Sequence, residues 1–260
     1  GNPSSMHTFG DKVDRKIKEA RQRVADFINA DPDEIVFTSC GTESDNAAIY
    51  SAINAFPEKK HIITSNVEHP AINNLYQHLQ KTKGYEITFV PVDKKGLLDL
   101  DALYDSMSDN TAIISLMRAN NETGVLFPIE LIAKKANEKG ILFHTDAVQA
   151  AGKIAIDVKK MGVDMLSLSG HKIHAPKGIG VLYVKKGFKF SPFLIGGHQE
   201  QGRRGGTENT VSIIGMGKAC ELARENLTIM DTKVRELRDY LQIQLLEKIP
   251  GASINGDLEL

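Results

Sequence analysis

The amino-acid sequence predicts an α/β fold in which a mostly parallel sheet is sandwiched by helices. Short strand patterns alternate along the chain with helical stretches of roughly 10 to 15 residues, an order typical of βαβ units. Thr111–Met117 is apolar on both faces, which predicts burial between two helical layers. At 260 residues the chain is long enough for one large domain and part of another.

The elements follow one another in a regular order. The predicted strands are short, largely apolar runs: Ile35–Ser39, Ile62–Ser65, Glu86–Val92, Thr111–Met117, Ile141–Thr145 and Met165–Leu168. The predicted helices between them are Thr42–Ala55, Pro70–Lys83, an acidic stretch near Asp99–Met107, and the amphipathic Ile129–Lys139, which Gly140 closes. Gly178–Val184 and Phe188–Leu194 predict a second strand-rich patch. From Thr210 onward the pattern is helical, with charges at helical spacing over Asp231–Lys248.

The composition argues against several functional classes. Lys and Arg number 32 and Asp and Glu 33, so no net field attracts nucleic acid or an anionic membrane. No apolar run approaches the ~18 residues that span a bilayer, and the first residues lack a signal-peptide pattern. Cys40 and Cys220 form no CxxC pair, which argues against a disulfide framework and a structural zinc site. We expect no metal and a cytoplasmic location.

Two strand ends carry residues that point to a particular chemistry. His144–Gln149 ends one strand with the carboxylate of Asp146, and Ser169–Lys172 ends another with the amine of Lys172. Pyridoxal phosphate needs this combination, because an amine forms a Schiff base with its aldehyde and a carboxylate keeps its pyridine nitrogen protonated. Either residue alone is more often a cap, a turn former or a solvated charge. Together they predict a pyridoxal phosphate site.

Three other predicted strand ends carry polar groups where ligands bind in such sheets. Ser39–Ser44 offers a glycine and a helix N-terminus as a phosphate cradle, or simply a Thr N-cap. In Glu68-His69-Pro70 the histidine could stack on an aromatic cofactor, or be a capping or core residue. Asn120–Gly124 could contact the same ligand or form an ordinary polar turn. The coincidence of five polar strand ends favours one planar, phosphorylated ligand.

These motifs occur in the order and spacing of a known family. They are Gly1–His7, Thr38–Ser44, Val67–His69, Ala119–Gly124, His144–Gln149, Ser169–Lys172, Ala175–Gly178, Gly196–Glu200 and Arg203–Asn209. The chain resembles a NifS-type cysteine desulfurase, within the class V branch of the pyridoxal phosphate aminotransferase-like enzymes. The resemblance implies their fold type I architecture, with the start of a smaller second domain.

The resemblance also implies roles around the cofactor ring. Lys172 would link covalently to the cofactor and move protons at the substrate's α carbon. Asp146 would pair with the protonated pyridine nitrogen, and Gln149 would hydrogen-bond the phenolic oxygen. His69 would stack on the ring and assist proton transfer. Asn121 would lie beside the cofactor and the substrate carboxylate.

A second set of roles concerns the phosphate. The resemblance implies that four residues hold this group: Gly41, Thr42, Ser169 and His171. Thr207 resembles a position that reaches the phosphate of the neighbouring subunit's cofactor. This likeness implies a homodimer with shared active sites.

The implied activity is removal of sulfur from L-cysteine, which leaves L-alanine and an enzyme persulfide for an iron–sulfur scaffold protein. Nitrogenase maturation and housekeeping cluster assembly both fit. The family's persulfide cysteine and its carboxylate-binding arginine would lie beyond residue 260, and its opening strand before residue 1. The resemblance therefore predicts a fragment with a large cofactor domain over 1–225. A linking helix and the start of the small domain would occupy 226–260.

Neither cysteine of the chain is expected to form the persulfide. Cys40 is interpreted as a small buried residue before a tight turn, and Cys220 as a helix-core residue. Two alternative functions stay open. One is another class V enzyme, such as a selenocysteine lyase, although the Gly196–Glu200 and Arg203–Thr207 stretches favour the NifS type. The other is a catalytically silent, cofactor-binding assembly partner.

Overall fold

In the computed structural model, which describes residues 2–3 and 8–259, the described residues form one seven-stranded sheet. The strands are β1 (Ile35–Thr38), β2 (His61–Ser65), β3 (Glu86–Val90), β4 (Thr111–Met117), β5 (Leu142–Asp146), β6 (Met165–Ser169) and β7 (Gly180–Val184). Their order across the sheet is β1-β7-β6-β5-β4-β2-β3. Strands β3, β2, β4, β5 and β6 pair in parallel, whereas β7 is antiparallel to both β6 and β1. The predicted α/β class with a mostly parallel sheet is confirmed.

Helices cover both faces of this sheet. They are α1 (Thr8–Ile28), α2 (Gly41–Ala55), α3 (Pro70–Lys83), α4 (Leu100–Ser106), α5 (Ile129–Glu138), α6 (Val158–Met161), α7 (Thr210–Glu225), α8 (Leu227–Ile229) and α9 (Arg235–Lys248). Helices α2 and α3 contribute to the hydrophobic cluster on one face, and α1, α5 and α7 to the cluster on the other. Among the described residues, no helix is both long and apolar enough to cross a membrane.

Neighbouring residues of the central strands enter opposite clusters, which explains their continuous apolar character. In β4, Ile113 packs with α2 and α3 while Ile114 packs on the opposite face. In β2, Ile62 and Ile63 divide in the same way. Successive strand side chains point to opposite faces, so a strand covered on both sides must be apolar at both.

Two features differ from the sequence-based expectations. Phe188–Leu194 is not a strand: β7 already pairs on both edges, with β1 and β6, and Phe188 and Phe190 instead pack individually against the α2–α3 cluster. The long helix α1 was not predicted, yet it packs against α7 through a buried stripe that includes Ala20 and Val24.

Most other boundaries differ from prediction by one or two residues. Strand β3 ends at Val90, because Pro91 has no N–H to continue the ladder. Cys220 is fully buried in α7, which confirms its interpretation as a helix-core residue. The division at 225/226 stays a prediction, although α9 buries none of its residues. Residues 1 and 4–7 of the opening motif lie outside the described residues.

Candidate active site

The main candidate site is a cavity of about 150 Å³ at the carboxyl ends of the parallel strands. The structure brings nine of the ten predicted site residues around it: Gly41, Thr42, His69, Asn121, Asp146, Gln149, Ser169, His171 and Lys172. Thr207 does not line the cavity and is exposed in the loop before α7. This position agrees with a role toward a second subunit, but that role and those of the other nine stay predictions.

One end of the cavity is formed by the first turn of α2 and the end of β6. Helix α2 begins at Gly41, so Thr42 lies inside the first turn and Cys40 occupies the N-cap position without a side-chain cap. The backbone N–H groups of a first helical turn have no partners within the helix and favour anions. Ser169 and His171 share a hydrogen bond of 2.9 Å between Oγ and Nδ1 beside this turn. We call this the phosphate end.

Gly41 permits close packing at the phosphate end. A Cβ on Gly41 would lie 3.1 Å from Val148 Cγ2 and 3.3 Å from Ser169 Cβ, tighter than ordinary contact. Glycine at position 41 therefore lets the turn approach Val148, just after β5, and the end of β6 without displacing either neighbour. The expectation for Cys40 was wrong in one respect: its side chain is only half-buried and it lines the cavity.

The other end is formed by Asp146 at the end of β5, and we call it the ring end. Asp146 is 8% exposed, and its Oδ1 accepts a hydrogen bond of 2.8 Å from the Val148 N–H. Burial raises the pKa of this carboxyl, while the Val148 N–H and the nearby His69 and Lys172 oppose that rise. These donors and cations favour the negative charge on Asp146.

Two further carboxyls are buried near Asp146. Asp45, on α2, is 1% exposed, and its Oδ1 accepts no hydrogen bond. Burial first, and then the Asp146 carboxylate, hold the pKa of Asp45 well above its ordinary value. Glu68 precedes α3, and burial raises its pKa to about 8 even though the Ser65 hydroxyl and the Met117 N–H both donate to Oε1. At neutral pH Glu68 is therefore mainly protonated, and the Asp45 carboxyl holds its proton more readily than an exposed aspartate does.

His144 completes this buried group without adding a positive charge. It shares hydrogen bonds of 2.9 Å with Ser115 Oγ at Nδ1 and with Ser167 Oγ at Nε2. Complete burial lowers the pKa of His144 to about 3, so its ring is neutral at pH 7. Its 3.7 Å approach to Asp45 is consequently not an ion pair. Of the three buried carboxyls, Asp146 is the one whose negative charge is supported by nearby cations, His69 and Lys172.

His69 and Lys172 reach the cavity from two turns. His69 is the N-cap of α3, and its Nδ1 accepts a hydrogen bond from the Ala71 N–H, so the neutral ring carries its proton on Nε2. It therefore both caps a helix and lines the cavity. Lys172 lies in the 3₁₀ turn Gly170–Ile173 directly after β6, and its side chain is exposed.

The sequence analysis did not single out Asp45 or Glu68. Asp45 lies four residues after Gly41, and residues at that spacing share one face of a helix, so the cavity-lining face of α2 gave a usable signal. No comparable spacing pattern in the sequence indicates that the Glu68 side chain is buried near Asp146. Its side chain reaches the backbone of β4, a contact that exists only in the folded sheet.

Three observations support the fit of pyridoxal phosphate to the residues that line this cavity. The close approach at Gly41 leaves a helix N-terminus open to an anionic phosphate. The buried, donor-supported Asp146 suits a protonated ring nitrogen. Asp45 lines the same cavity, and its buried Oδ1 has no hydrogen-bond partner among the described residues.

A family model described as aminotransferase class-V matches residues 1–259. The chain belongs to the aminotransferase class-V family. Within it, the cysteine desulfurase of Nostoc sp. is 55% identical over 258 residues, covering 99% of this chain and 64% of the relative. The cysteine desulfurase NifS of Azotobacter vinelandii is 54% identical with the same coverage. The resemblance to NifS-type cysteine desulfurases is confirmed.

Solved structures give the same relationship for this class-V chain. A NifS-like protein superposes with a TM-score of 0.95 at 38% identity, covering 100% of this chain and 71% of its own. SspA, solved in complex with cysteine, superposes with a TM-score of 0.81 at 43% identity, covering 85% and 64%. The chain spans about 64% of the length of the two curated relatives above.

Proposed function

We propose that this chain carries the pyridoxal phosphate site of a cysteine desulfurase, which removes sulfur from L-cysteine and leaves L-alanine. The observation that carries the proposal is the polarity of the cavity. Its phosphate end presents helix N–H groups, its ring end holds the buried Asp146 carboxyl with the Val148 N–H as a donor, and the Lys172 amine lines the same space. The choice of L-cysteine as the substrate is based on relatives named cysteine desulfurase, which are 54 to 55% identical to this chain.

When bound, pyridoxal phosphate supplies an aldehyde for amines and a ring that withdraws electrons from the α carbon of an amino acid. Gly41, Thr42, Ser169 and His171 would hold its phosphate. Asp146 would accept a hydrogen bond from its ring nitrogen. Glu68 is mainly protonated and His144 is neutral at pH 7, so neither would place a further charge beside this hydrogen bond. Gln149 and Asn121 would contact the phenolic oxygen and the substrate carboxylate.

Two residues of this chain would move protons. Lys172, as a neutral amine, would remove the proton from the α carbon of cysteine and later return it there. Between these two transfers the acceptor thiolate would take the sulfur as a persulfide, the carbon–sulfur electron pair would stay with the substrate, and the β carbon would gain a proton, so that cysteine and a thiol give alanine and a persulfide. His69 would face the ring, with its orientation fixed because Nδ1 is engaged by the Ala71 N–H. Nε2 is left to exchange a proton with substrate.

The sulfur acceptor is proposed to be a cysteine outside these 260 residues. Cys220 is fully buried, and burial raises the pKa of its thiol, so it offers neither access nor thiolate. Cys40 lies at the phosphate end rather than beside the α carbon. We further propose a cytoplasmic homodimer, in which Thr207 reaches the partner's phosphate, and an iron–sulfur scaffold protein as the final recipient.

The test uses the full-length protein loaded with pyridoxal phosphate. We expect L-cysteine to give alanine and sulfide in equal amounts when a thiol reductant is present. Turnover of L-selenocysteine alone would identify a selenocysteine lyase. Cofactor binding without turnover of either amino acid would instead support the silent assembly partner.

A further inference from the structure

A partly buried ion pair joins the phosphate end to the loop that carries Thr207. Arg204, three residues before Thr207, donates from Nε to Glu43 Oε1 at 2.9 Å and from a terminal nitrogen to Oε2 at 3.2 Å. The side chains of Arg204 and Glu43 are 22% and 10% exposed. Oε2 also accepts a hydrogen bond of 2.8 Å from the Ser39 N–H. The Glu43 carboxylate is thus fully engaged directly beside Thr42.

Glu43 is negatively charged in this arrangement. Burial works to raise its pKa, but the hydrogen bonds from Arg204 and Ser39 outweigh it and lower the pKa. An anionic side chain in the first turn interacts favourably with the helix dipole when the site is empty. It opposes a phosphate placed at the same N-terminus, because two anions then compete for one set of N–H groups.

We propose that Arg204 is a positioning residue for an organic phosphate: it neutralises Glu43, so that the N-terminus of α2 accepts a dianion. The inference rests on the proposed phosphate position at Gly41–Thr42. Arg204 and Thr207 share a loop, so the same ion pair also fixes the segment predicted to reach the neighbouring subunit.

A second ion pair anchors the loop independently of Arg204. Arg21 on α1 binds both oxygens of Glu200 at 2.8 and 2.7 Å, and Glu200 Oε2 accepts the Phe37 N–H at 2.9 Å. Arg203 adds hydrogen bonds to the carbonyls of Asp33 and Ile35. Loss of Arg204 therefore changes the charge beside the phosphate end while these anchors keep the loop on β1.

The experiment measures the affinity of the folded chain for pyridoxal phosphate and for pyridoxal, which lacks the phosphate. We expect Arg204→Gln to weaken pyridoxal phosphate binding about tenfold, the equivalent of one lost charge contact, and to leave pyridoxal binding unchanged. Glu43→Gln should not weaken binding, and the Glu43→Gln/Arg204→Gln double variant should recover to within about threefold of the parent. The Arg204→Gln defect should shrink at high salt.

Arg23→Gln is the matched control, because it removes the same charge from the Arg23–Glu221 pair. It should leave both affinities unchanged. If Arg204→Gln does not fold, Arg204→Lys and the double variant still test the charge argument, since both should bind pyridoxal phosphate nearly normally. Unchanged phosphate affinity in Arg204→Gln would overturn the inference. So would equal weakening in Glu43→Gln and the double variant, because the pair would then act only on structure.

Thr42→Ala separates failure of this inference from failure of the proposed site. If Thr42→Ala weakens pyridoxal phosphate binding while Arg204→Gln does not, the phosphate position stands and the role of Arg204 is wrong. If neither variant changes the affinity, phosphate binds elsewhere. The proposed cofactor position then fails together with this inference.

Discussion

The two ends of the cavity are suited to opposite charges and differ in how deeply their residues are buried. The phosphate end comes from two short continuous stretches, Gly41–Thr42 and Ser169–His171, in which Thr42 and His171 are exposed. The ring end is buried. Its carboxyls come from three separate parts of the chain: Asp45 from α2, Glu68 from the loop before α3, and Asp146 from the end of β5. The phosphate end thus offers an anion backbone N–H groups near solvent, whereas the ring end offers a cation the buried carboxylate of Asp146.

This difference follows from the cost of burying charge. Helix N–H groups are dipoles, so a site made of them carries no net charge and needs no burial. A carboxylate attracts a cation more strongly in a low-dielectric interior, but each additional buried charge is costly. Glu68, which is mainly protonated at neutral pH, and the neutral ring of His144 add little to that cost at the ring end.

The largest expected effect is at Lys172, which belongs to neither end. Lys172→Ala should abolish the covalent pyridoxyl adduct that borohydride reduction of the loaded chain produces. Some non-covalent binding should remain, because the contacts at both ends are intact. Mass spectrometry of the reduced chain and its peptides measures the adduct.

Lys177 and Lys153 provide the controls for this assignment. Lys177→Ala should leave the adduct in place. Lys153 lies near Lys172, and burial and then that neighbouring charge lower its pKa, so it is the strongest competitor. An adduct mapped to Lys153 or Lys177 in the parent chain would show that the Lys172 assignment is wrong.

The second prediction tests whether Glu68 is a neutral acid. The folded-state pKa of Glu68 is about 8, above the ordinary value of 4.5, so the folded chain retains a proton that the unfolded chain has lost. Its contribution to stability is present at low pH and is lost as the pH rises toward 8. From pH 5 to pH 8, the free energy of unfolding should fall by about 3 kcal/mol more in the parent than in Glu68→Gln.

Urea unfolding of the cofactor-free chain at both pH values measures this difference. Glu138→Gln, an exposed glutamate on α5, is the matched control and should follow the parent. Equal pH dependence in the parent and Glu68→Gln would mean that Glu68 is ionised in the folded chain. The ring end would then hold at least two negative charges.

The two ends also differ in how far the sequence predicts them. Residues of the phosphate end are adjacent in sequence, so the Ser39–Ser44 and Ser169–Lys172 motifs carry them. Asp146 could be predicted from its strand end, but Glu68 depends on the β2–β4 pairing that brings it to the Met117 N–H. The strand prediction for Phe188–Leu194 failed because a β-like composition does not supply a pairing partner, and the preceding strand β7 is already paired on both sides, with β1 and β6. Helix α1 was missed because charged residues surround its narrow buried stripe.

A third prediction concerns Asp146 itself. Asp146→Ala should weaken pyridoxal phosphate binding by roughly 1.5 to 3 kcal/mol, the value of a hydrogen bond to a charged group. In a complete enzyme it should slow proton removal from the α carbon more severely than it weakens binding. Titration of cofactor absorbance and exchange of the substrate α proton with deuterium measure the two effects.

Asp45→Asn is the comparison that sharpens this result. Burial and the Asp146 carboxylate already favour the protonated form of Asp45, so an amide should change cofactor affinity much less than Asp146→Ala does. Equal losses in the two variants would contradict the assignment of the single negative charge to Asp146. Full activity of Asp146→Ala in a complete enzyme would contradict the role of Asp146 altogether.

The smallest expected effect is at Cys40, the thiol of the phosphate end. Sulfur transfer needs a thiolate that reaches the carbon–sulfur bond of the substrate. Cys40 is held at the N-cap of α2, on the side of the cavity assigned to phosphate, and Cys220 is sealed inside α7. We therefore expect the 260-residue chain, loaded with pyridoxal phosphate, to release no sulfide from cysteine above background, and Cys40→Ser to leave that result unchanged.

Cys40→Ser should also alter stability by no more than about 1 kcal/mol, because serine is a favourable N-cap residue and close to cysteine in size. Sulfide release and thermal unfolding, measured on both proteins, test the two statements. The full-length protein should release sulfide through a cysteine outside this chain, whether residue 40 is Cys or Ser. If the 260-residue chain released sulfide and Cys40→Ser abolished that release, the sulfur chemistry would take place at the phosphate end. The proposed difference in function between the two ends would then be wrong.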